Sequence, residues 1–326
     1  NDDIMGSSVS IAGNPMYGAK SSSKEKGFIG SMACSKRSFE LAAFNTAEFP
    51  NEEAVKYGKT NPGKFRTLDI SAVTLESQDE AKSLLKQLQN NEITFEDAVS
   101  EKSTKYYTDK DGNLSEPYYY QLALDIENSE DVEKVIALSP AELSSVIQTK
   151  RGWTIYRVNA NAKEPDFNDE GTVGVVLEYL KANEKGYIEN YYIDQAKAFI
   201  NEAKLSNFQD ACEKFGITKT DVQSFPINYG NSRFYAATPS DVSELIGLST
   251  NESVLQTLFS TKKDDMTEPF VLGSSVIVAR CTGLQKDPPA EMNDYQQILT
   301  DADNTSSQAT LKNFEGVKDN FMTTYF

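Results

Sequence analysis

The chain is expected to fold as an α+β protein of two similar modules, each a small antiparallel sheet flanked by helices. A long helix should join them, with helical segments at the termini. Two observations carry this reading. First, VEKVIALSPAELSSVIQTKRGWTIYRV (132–158) returns at 255–280 as LQTLFSTKKDDMTEPFVLGSSVIVAR. At a constant offset of 123, Leu143 answers to Met266, Ile147 to Phe270, Ile155 to Val278 and Arg157 to Arg280. Both copies read as an apolar helical end, a polar turn, a short strand, a hairpin and a final alternating strand. Second, DEAKSLL (79–85) and ITFEDAVSEKS (93–103) answer to DQAKAFI (194–200) and SNFQDACEKFG (206–216). A repeat of this length outranks any single motif as a guide to architecture.

In chain order, residues 1–36 are rich in Gly and Ser and lack periodicity, as expected of a flexible arm or the remnant of an upstream domain. The first module is placed at 37–163. It opens with a strand over RSFELAAFNT (37–46) and a helix started by Pro50 and Asn51, with Glu52 and Glu53 in its first turn and Asn61, Pro62 and Gly63 as its stop. RTLDISAVTL (66–75) reads as a half-buried strand. Helix 77–90 follows from Ser77 with Ala81, Leu84, Leu85 and Leu88 on one face, and helix 94–102 starts at Thr94 with Asp97 three residues on. DKDGNL (109–114) departs from a calcium loop, because Gly112 comes too early and Tyr120 replaces the bidentate Glu, so it reads as a turn. Residues 164–186 form a connector and the start of a helix over roughly 175–204, whose aromatic stripe suits a core. The second module is placed at 187–290. A C-terminal helical segment, 291–326, carries the polar break NTSS.

Composition removes several classes of function. With 49 acidic and 32 basic residues the formal charge is −17, which repels nucleic acid and anionic membranes. No apolar run approaches a membrane helix, and the first residue is Asn, so any signal or membrane anchor upstream is expected to have been removed. The apolar run in GFIGSMAC (27–34) is too short for a lipid-attachment signal. Cys34, Cys212 and Cys281 are odd in number and scattered, and histidine is absent. The commonest general base, the histidine-dependent nucleophile arrangements and most zinc sites therefore drop out, and neither metal nor cofactor is expected.

The segments ISAVTL, EAKSLLKQL, FEDAVSEKS, DGNL and VIALSPAELSSVIQTKRGWTIYRV together resemble a parvulin-type peptidyl-prolyl isomerase domain. The stretch AVKYGKTNPGKFR (54–66) is similar to the helix and Asn-Pro turn that precede this domain in periplasmic folding factors of the SurA and PpiD type. The resemblance covers residues 37–290, with the second module as a degenerate copy. It implies tandem parvulin-like domains, a periplasmic or otherwise extracytoplasmic location, and unfolded or nascent envelope polypeptides as partners.

The departures bear on activity. Active members of that family place one His on the first strand and one on the last, facing each other. Here Ser71 occupies or adjoins the first position and Thr154 holds the second. Ser115 stands where a Gly is usual, Ile277 holds the last-strand position of the second module, and that module lacks a recognisable first strand. Two hydroxyls cannot supply an imidazole pair, so efficient isomerisation is not expected. A peptide groove is placed at Leu114, Tyr119, Leu122, Ile136 and Trp153, with the tryptophan as its fluorescent reporter. Tyr106, Tyr107, Tyr118, Tyr119 and Tyr120 suit either a binding surface or packing of a loop on its own domain. An active isomerase and a structural spacer are the alternatives.

Overall fold

The computed structural model describes residues 10–11, 14–15, 24, 27, 31, 34–103, 111–232, 235–288 and 292–312. Beyond a two-residue ribbon of Ser10–Ile11 with Asn14–Pro15, the chain begins with strand β1 (Ser35–Asn45). Helix α1 (Asn51–Thr60) and a 3-10 turn (Pro62–Phe65) lead to β2 (Thr67–Leu75). Then come α2 (Gln78–Gln89), α3 (Phe95–Lys102), α4 (Tyr119–Asp125), α5 (Ser129–Ile136) and the hairpin of β3 (Ile147–Thr149) with β4 (Gly152–Lys163). Helices α6 (Glu170–Asn183), α7 (Lys185–Leu205) and α8 (Phe208–Phe215) precede β5 (Thr220–Pro226). Helix α9 (Glu252–Ser260), the hairpin of β6 (Phe270–Leu272) with β7 (Ser275–Lys286), and α10 (Met292–Lys312) complete the chain.

These elements fall into two units, an inner one of residues 48–188 and an outer one of 1–47 with 189–326. The inner sheet has the order β2-β4-β3 and the outer sheet β5-β1-β7-β6, all antiparallel. The strand expected to open the first module therefore belongs elsewhere. Along its whole length β1 pairs with β7, from Ser35 opposite Lys286 to Asn45 opposite Ser275. Its Phe39 and Leu41 are buried with Val222, Leu245, Leu258 and Ile277. The first strand that the second module lacked in the sequence is thus β1, and the residues of the inner unit follow it in the chain before the rest of the outer unit.

Local geometry recurs at the same offset of 123. In the inner unit the Ser144 amide donates to the Tyr156 carbonyl at 2.8 Å, and the Ser144 hydroxyl accepts from the Tyr156 amide at 2.9 Å. In the outer unit Thr267 makes the same two bonds with Ala279, at 2.8 and 3.0 Å. Ala141 and Asp264 sit at the same point of the turn with φ of 71° and 69°. Arg157 lies over the ring of Phe95 and Arg280 over that of Phe208, the first residues of α3 and α8.

The helix starts follow the sequence: Ser77 and Thr94 accept from the amides of Glu80 and Asp97. Three other expectations change. Strand β2 is buried on both faces from Ile70 to Leu75, because α4 and α5 cover one side and α2 and α3 the other. The helix expected over 175–204 breaks at Glu184 into α6 and α7. Helix α10 runs through NTSS, where Thr305 and Ser307 donate to the carbonyls of Asp301 and Asp303 and so satisfy themselves within the helix. Residues 313–326 and most of 1–33 lie outside the described residues. No helix among those described is long and apolar enough to cross a membrane.

Strand β1 is fastened by charge as well as by its ladder. One Glu40 carboxylate oxygen accepts from Arg280 on β7 at 3.0 and 2.6 Å, and the other from Lys219 at 2.8 Å. Burial pushes the Glu40 pKa up, but the donors Lys219 and Arg280 outweigh it and the net shift is downward. A depressed carboxylate stabilises the fold above its unfolded value of about 4.3, and that contribution is lost as pH falls through the lower folded value. Glu40→Gln should therefore cost the outer unit about 2 kcal/mol near neutral pH. It should also flatten the loss of stability below about pH 4, read by thermal melting over a pH series.

Candidate functional site

In an antiparallel pair, residues directly opposite share a face of the sheet. On the inner sheet, Ile70 faces Val158, Ala72 faces Tyr156 and Thr74 faces Thr154, toward α4 and α5; this is face A. Ser71 with Arg157, Val73 with Ile155 and Leu75 with Trp153 point toward α2 and α3; this is face B. Ser71 and Thr154 are accordingly on opposite faces, and the expected pairing of these two hydroxyls does not occur. The residue opposite Thr154 is Thr74, and their hydroxyls share a hydrogen bond of 2.8 Å.

Thr149 completes a cluster, 3.3 Å from the Thr154 hydroxyl. It is anchored by accepting from the Arg151 amide at 3.2 Å and donating to the Gly152 carbonyl at 3.2 Å. Gly152 has φ of +138°, and a Cβ there would lie 2.4 Å from the Leu75 carbonyl oxygen. Only glycine lets the hairpin close against the end of β2 at this point. Thr74, Thr149 and Thr154 are 4, 3 and 0% exposed, so the cluster is sealed within the sheet. Aliphatic hydroxyls do not titrate near neutral pH and cannot act there as an acid–base pair. Among the described residues no group of acidic, Cys or His side chains could hold a metal ion.

Ser71 serves a different network. Its hydroxyl accepts from the Asn159 amide nitrogen at 3.0 Å, which also donates to Asp69 at 3.0 Å. Arg157 donates to Asn159 at 3.3 Å and to Glu96 at 2.7 Å, and the Glu96 carboxyl is held below its usual range by that Arg157 bond. This network ties β2, β4 and α3 together on face B.

The five groove residues divide the same way. Leu114, Tyr119, Leu122 and Ile136 all pack on the face A cluster, whereas Trp153 packs on face B. The tryptophan therefore does not report on a face A groove. Loop 111–118 brings Leu114 to its place by pairing with β2: the Ala72 amide donates to the Gly112 carbonyl and the Leu114 amide to the Ile70 carbonyl. Ser115 takes φ of 56°, the left-handed conformation that a glycine adopts more readily. Tyr119 donates to Glu133 at 2.6 Å, and that carboxylate, with burial, raises the phenol pKa. Beside α5 lies a surface cavity of about 40 Å³ lined by Leu68, Ile70, Ile136, Leu138 and Val158 among others.

The other tyrosines pack their own unit. Tyr118 and Tyr120 stack at 5.8 Å, and Tyr120 meets Tyr179 edge-on at 4.9 Å. Tyr106 and Tyr107 lie outside the described residues. In the outer unit, register places Ala43, Leu272 and Ile277 where the inner unit has Thr74, Thr149 and Thr154. That site is continuous apolar core.

Residues 64–160 match the family model of the PPIC-type PPIase domain, and residues 221–286 match a model described as a third domain. The chain belongs to the parvulin-type peptidyl-prolyl isomerase family. Among its relatives, an uncharacterized protein of Treponema pallidum is 30% identical over 187 residues, covering 57% of this chain and 73% of that protein. An uncharacterized protein of Borreliella burgdorferi is 23% identical over 266 residues, covering 79% of this chain and about half, 51%, of that protein. Among solved structures, the peptidylprolyl isomerase PrsA of Bacillus anthracis aligns with a TM-score of 0.32 at 14% identity, over 52% of this chain and 70% of that one.

Proposed function

We propose that the protein is an extracytoplasmic folding factor that holds unfolded or nascent envelope polypeptides on face A of the inner unit without efficient prolyl isomerisation. One observation carries this reading. The apolar rim of face A reaches the surface at Tyr119, Ile136 and Leu138, half-buried, while the hydroxyls at the centre are sealed beneath it. An apolar client side chain that displaces water from this rim gains about 1.5–3 kcal/mol if fully buried. Several such contacts along an extended segment bring affinity into the millimolar to micromolar range. Catalysis needs groups that bind the twisted amide better than the planar one, and the burial of Thr74, Thr149 and Thr154 supports the reading that these hydroxyls do not serve that end. Support for the extracytoplasmic setting comes from the resemblance of the sequence to periplasmic folding factors.

The full chain should slow the aggregation of a chemically unfolded client at near-equimolar ratio. Ile136→Asp, which puts a charge on the rim, should weaken that protection by about tenfold. Unchanged aggregation with the unsubstituted chain would favour a structural spacer, and unchanged protection by the variant would move the binding surface off face A.

A further inference from the structure

Helices α6 and α7 are separated by the single residue Glu184, at φ −132° and ψ 41°. The local sequence weakens the helix here without breaking it at Glu184. KANEKG (181–186) contains no Pro, but Asn183, whose side chain donates to the Tyr179 carbonyl, and Gly186, inside α7, are weak helix formers. Neither forces the break onto Glu184, so a tertiary contact is needed to place it.

The tertiary contact is a cation enclosed by rings. Lys64, in the 3-10 turn that leads into β2, donates from its ammonium to the hydroxyls of Tyr57 and Tyr179 at 2.9 and 3.0 Å. The same ammonium lies 5.4 and 5.0 Å from the centres of those two rings. The Glu184 carboxylate accepts from Lys64 at 3.4 Å, from Tyr179 at 3.4 Å and from Tyr57 at 3.5 Å. On the other side of the break, Tyr187 in the first turn of α7 meets Tyr57 edge-on at 4.9 Å. Tyr57 on α1 thus touches the end of one helix and the start of the next.

We infer that this junction is a latch: Lys64, through Tyr57 and Tyr179, holds Glu184 out of the helical conformation, and releasing Glu184 lets α6 and α7 fuse into one continuous helix. Fusion is open to the chain, since Lys181, Ala182, Glu184 and Lys185 are good helix formers, Asn183 and Gly186 weaker ones, and each restored backbone hydrogen bond propagates an existing helix. The latch joins the turn that precedes the inner sheet to the helix in which the chain leaves the inner unit at 188–189. It is a two-state element that one charge controls.

Hydrogen exchange on the full chain tests it in two variants. Lys64→Met keeps the stem and removes the ammonium, and Glu184→Ala removes the acceptor at a half-exposed position. In both, the amides of residues 185–188 should exchange at least about tenfold more slowly as the helix closes over the break, while β2 and β4 keep their protection. Unchanged exchange at 185–188 in both variants would show that the break is intrinsic. Faster exchange on both sides of it would show a simple staple, and either result overturns the latch. Should Lys64→Met fail to fold, Glu184→Ala decides alone.

Discussion

Phe39→Ala should unfold the outer unit while the inner one, which begins nine residues later, stays folded. Phe39 is 1% exposed, with its ring 5.9 Å from Phe225 and 6.4 Å from Phe259, and it pairs with Cys281 on β7. Truncating a buried Phe costs about 3–5 kcal/mol, from lost transfer energy and the cavity left behind. Whole domains have about 5–15 kcal/mol in hand, so the change removes a large share of the stability of one unit. Hydrogen exchange read by segment separates the units: protection should collapse in β1, β5 and β7 and persist in β2, β4 and α5. Loss of protection in β2 and β4 first would return β1 to the inner unit and undo the division drawn here.

That strand also shows where sequence reading stops. The order of elements from β2 to β4, the caps at Ser77 and Thr94, and the second hairpin were legible because each rests on local periodicity and on residues that satisfy helix ends. The partner of β1 was not, because Ser35 finds Lys286 across the whole inner unit and adjacency in the chain suggests the wrong neighbour. Which face each site residue takes was hidden for a related reason. Thr154 was legible from GWTIYRV, but which β2 residue faces it depends on register, and a displacement of one residue sends a side chain to the opposite face. Ser71, read as occupying or adjoining the first-strand position, lies on the other face from Thr154, which Thr74 opposes, and Trp153 was assigned to a groove on the face it does not line. Parity along β2 and β4, with Ile70, Ala72 and Thr74 as one apolar series, was the available signal. The break at Glu184 had only the weak helix formers Asn183 and Gly186 as a local signal, and the contacts proposed to fix it, from Lys64 and Tyr57, lie more than a hundred residues away.

The same register bears on the proposed lack of efficient isomerisation. Prolyl isomerisation crosses a barrier of about 20 kcal/mol and proceeds unaided over tens to hundreds of seconds. An enzyme must bind the twisted amide more tightly than the planar ones, with groups placed against it. Thr74, Thr149 and Thr154 spend their hydroxyls on one another within a sealed sheet, and the equivalent positions of the outer unit are Ala43, Leu272 and Ile277. On the proposed reading, these positions offer no exposed hydroxyl to a bound proline. The most direct measurement is exchange spectroscopy on a proline tetrapeptide with a stoichiometric amount of the 326-residue chain, with amide shifts followed in the protein. The cis–trans exchange rate should stay within about twofold of the peptide alone, while the amides of Ile136 and Leu138 shift as the peptide occupies face A. Acceleration of about tenfold or more that Thr154→Val abolishes would contradict the account, because it would show the hydroxyl cluster open to substrate and working on it.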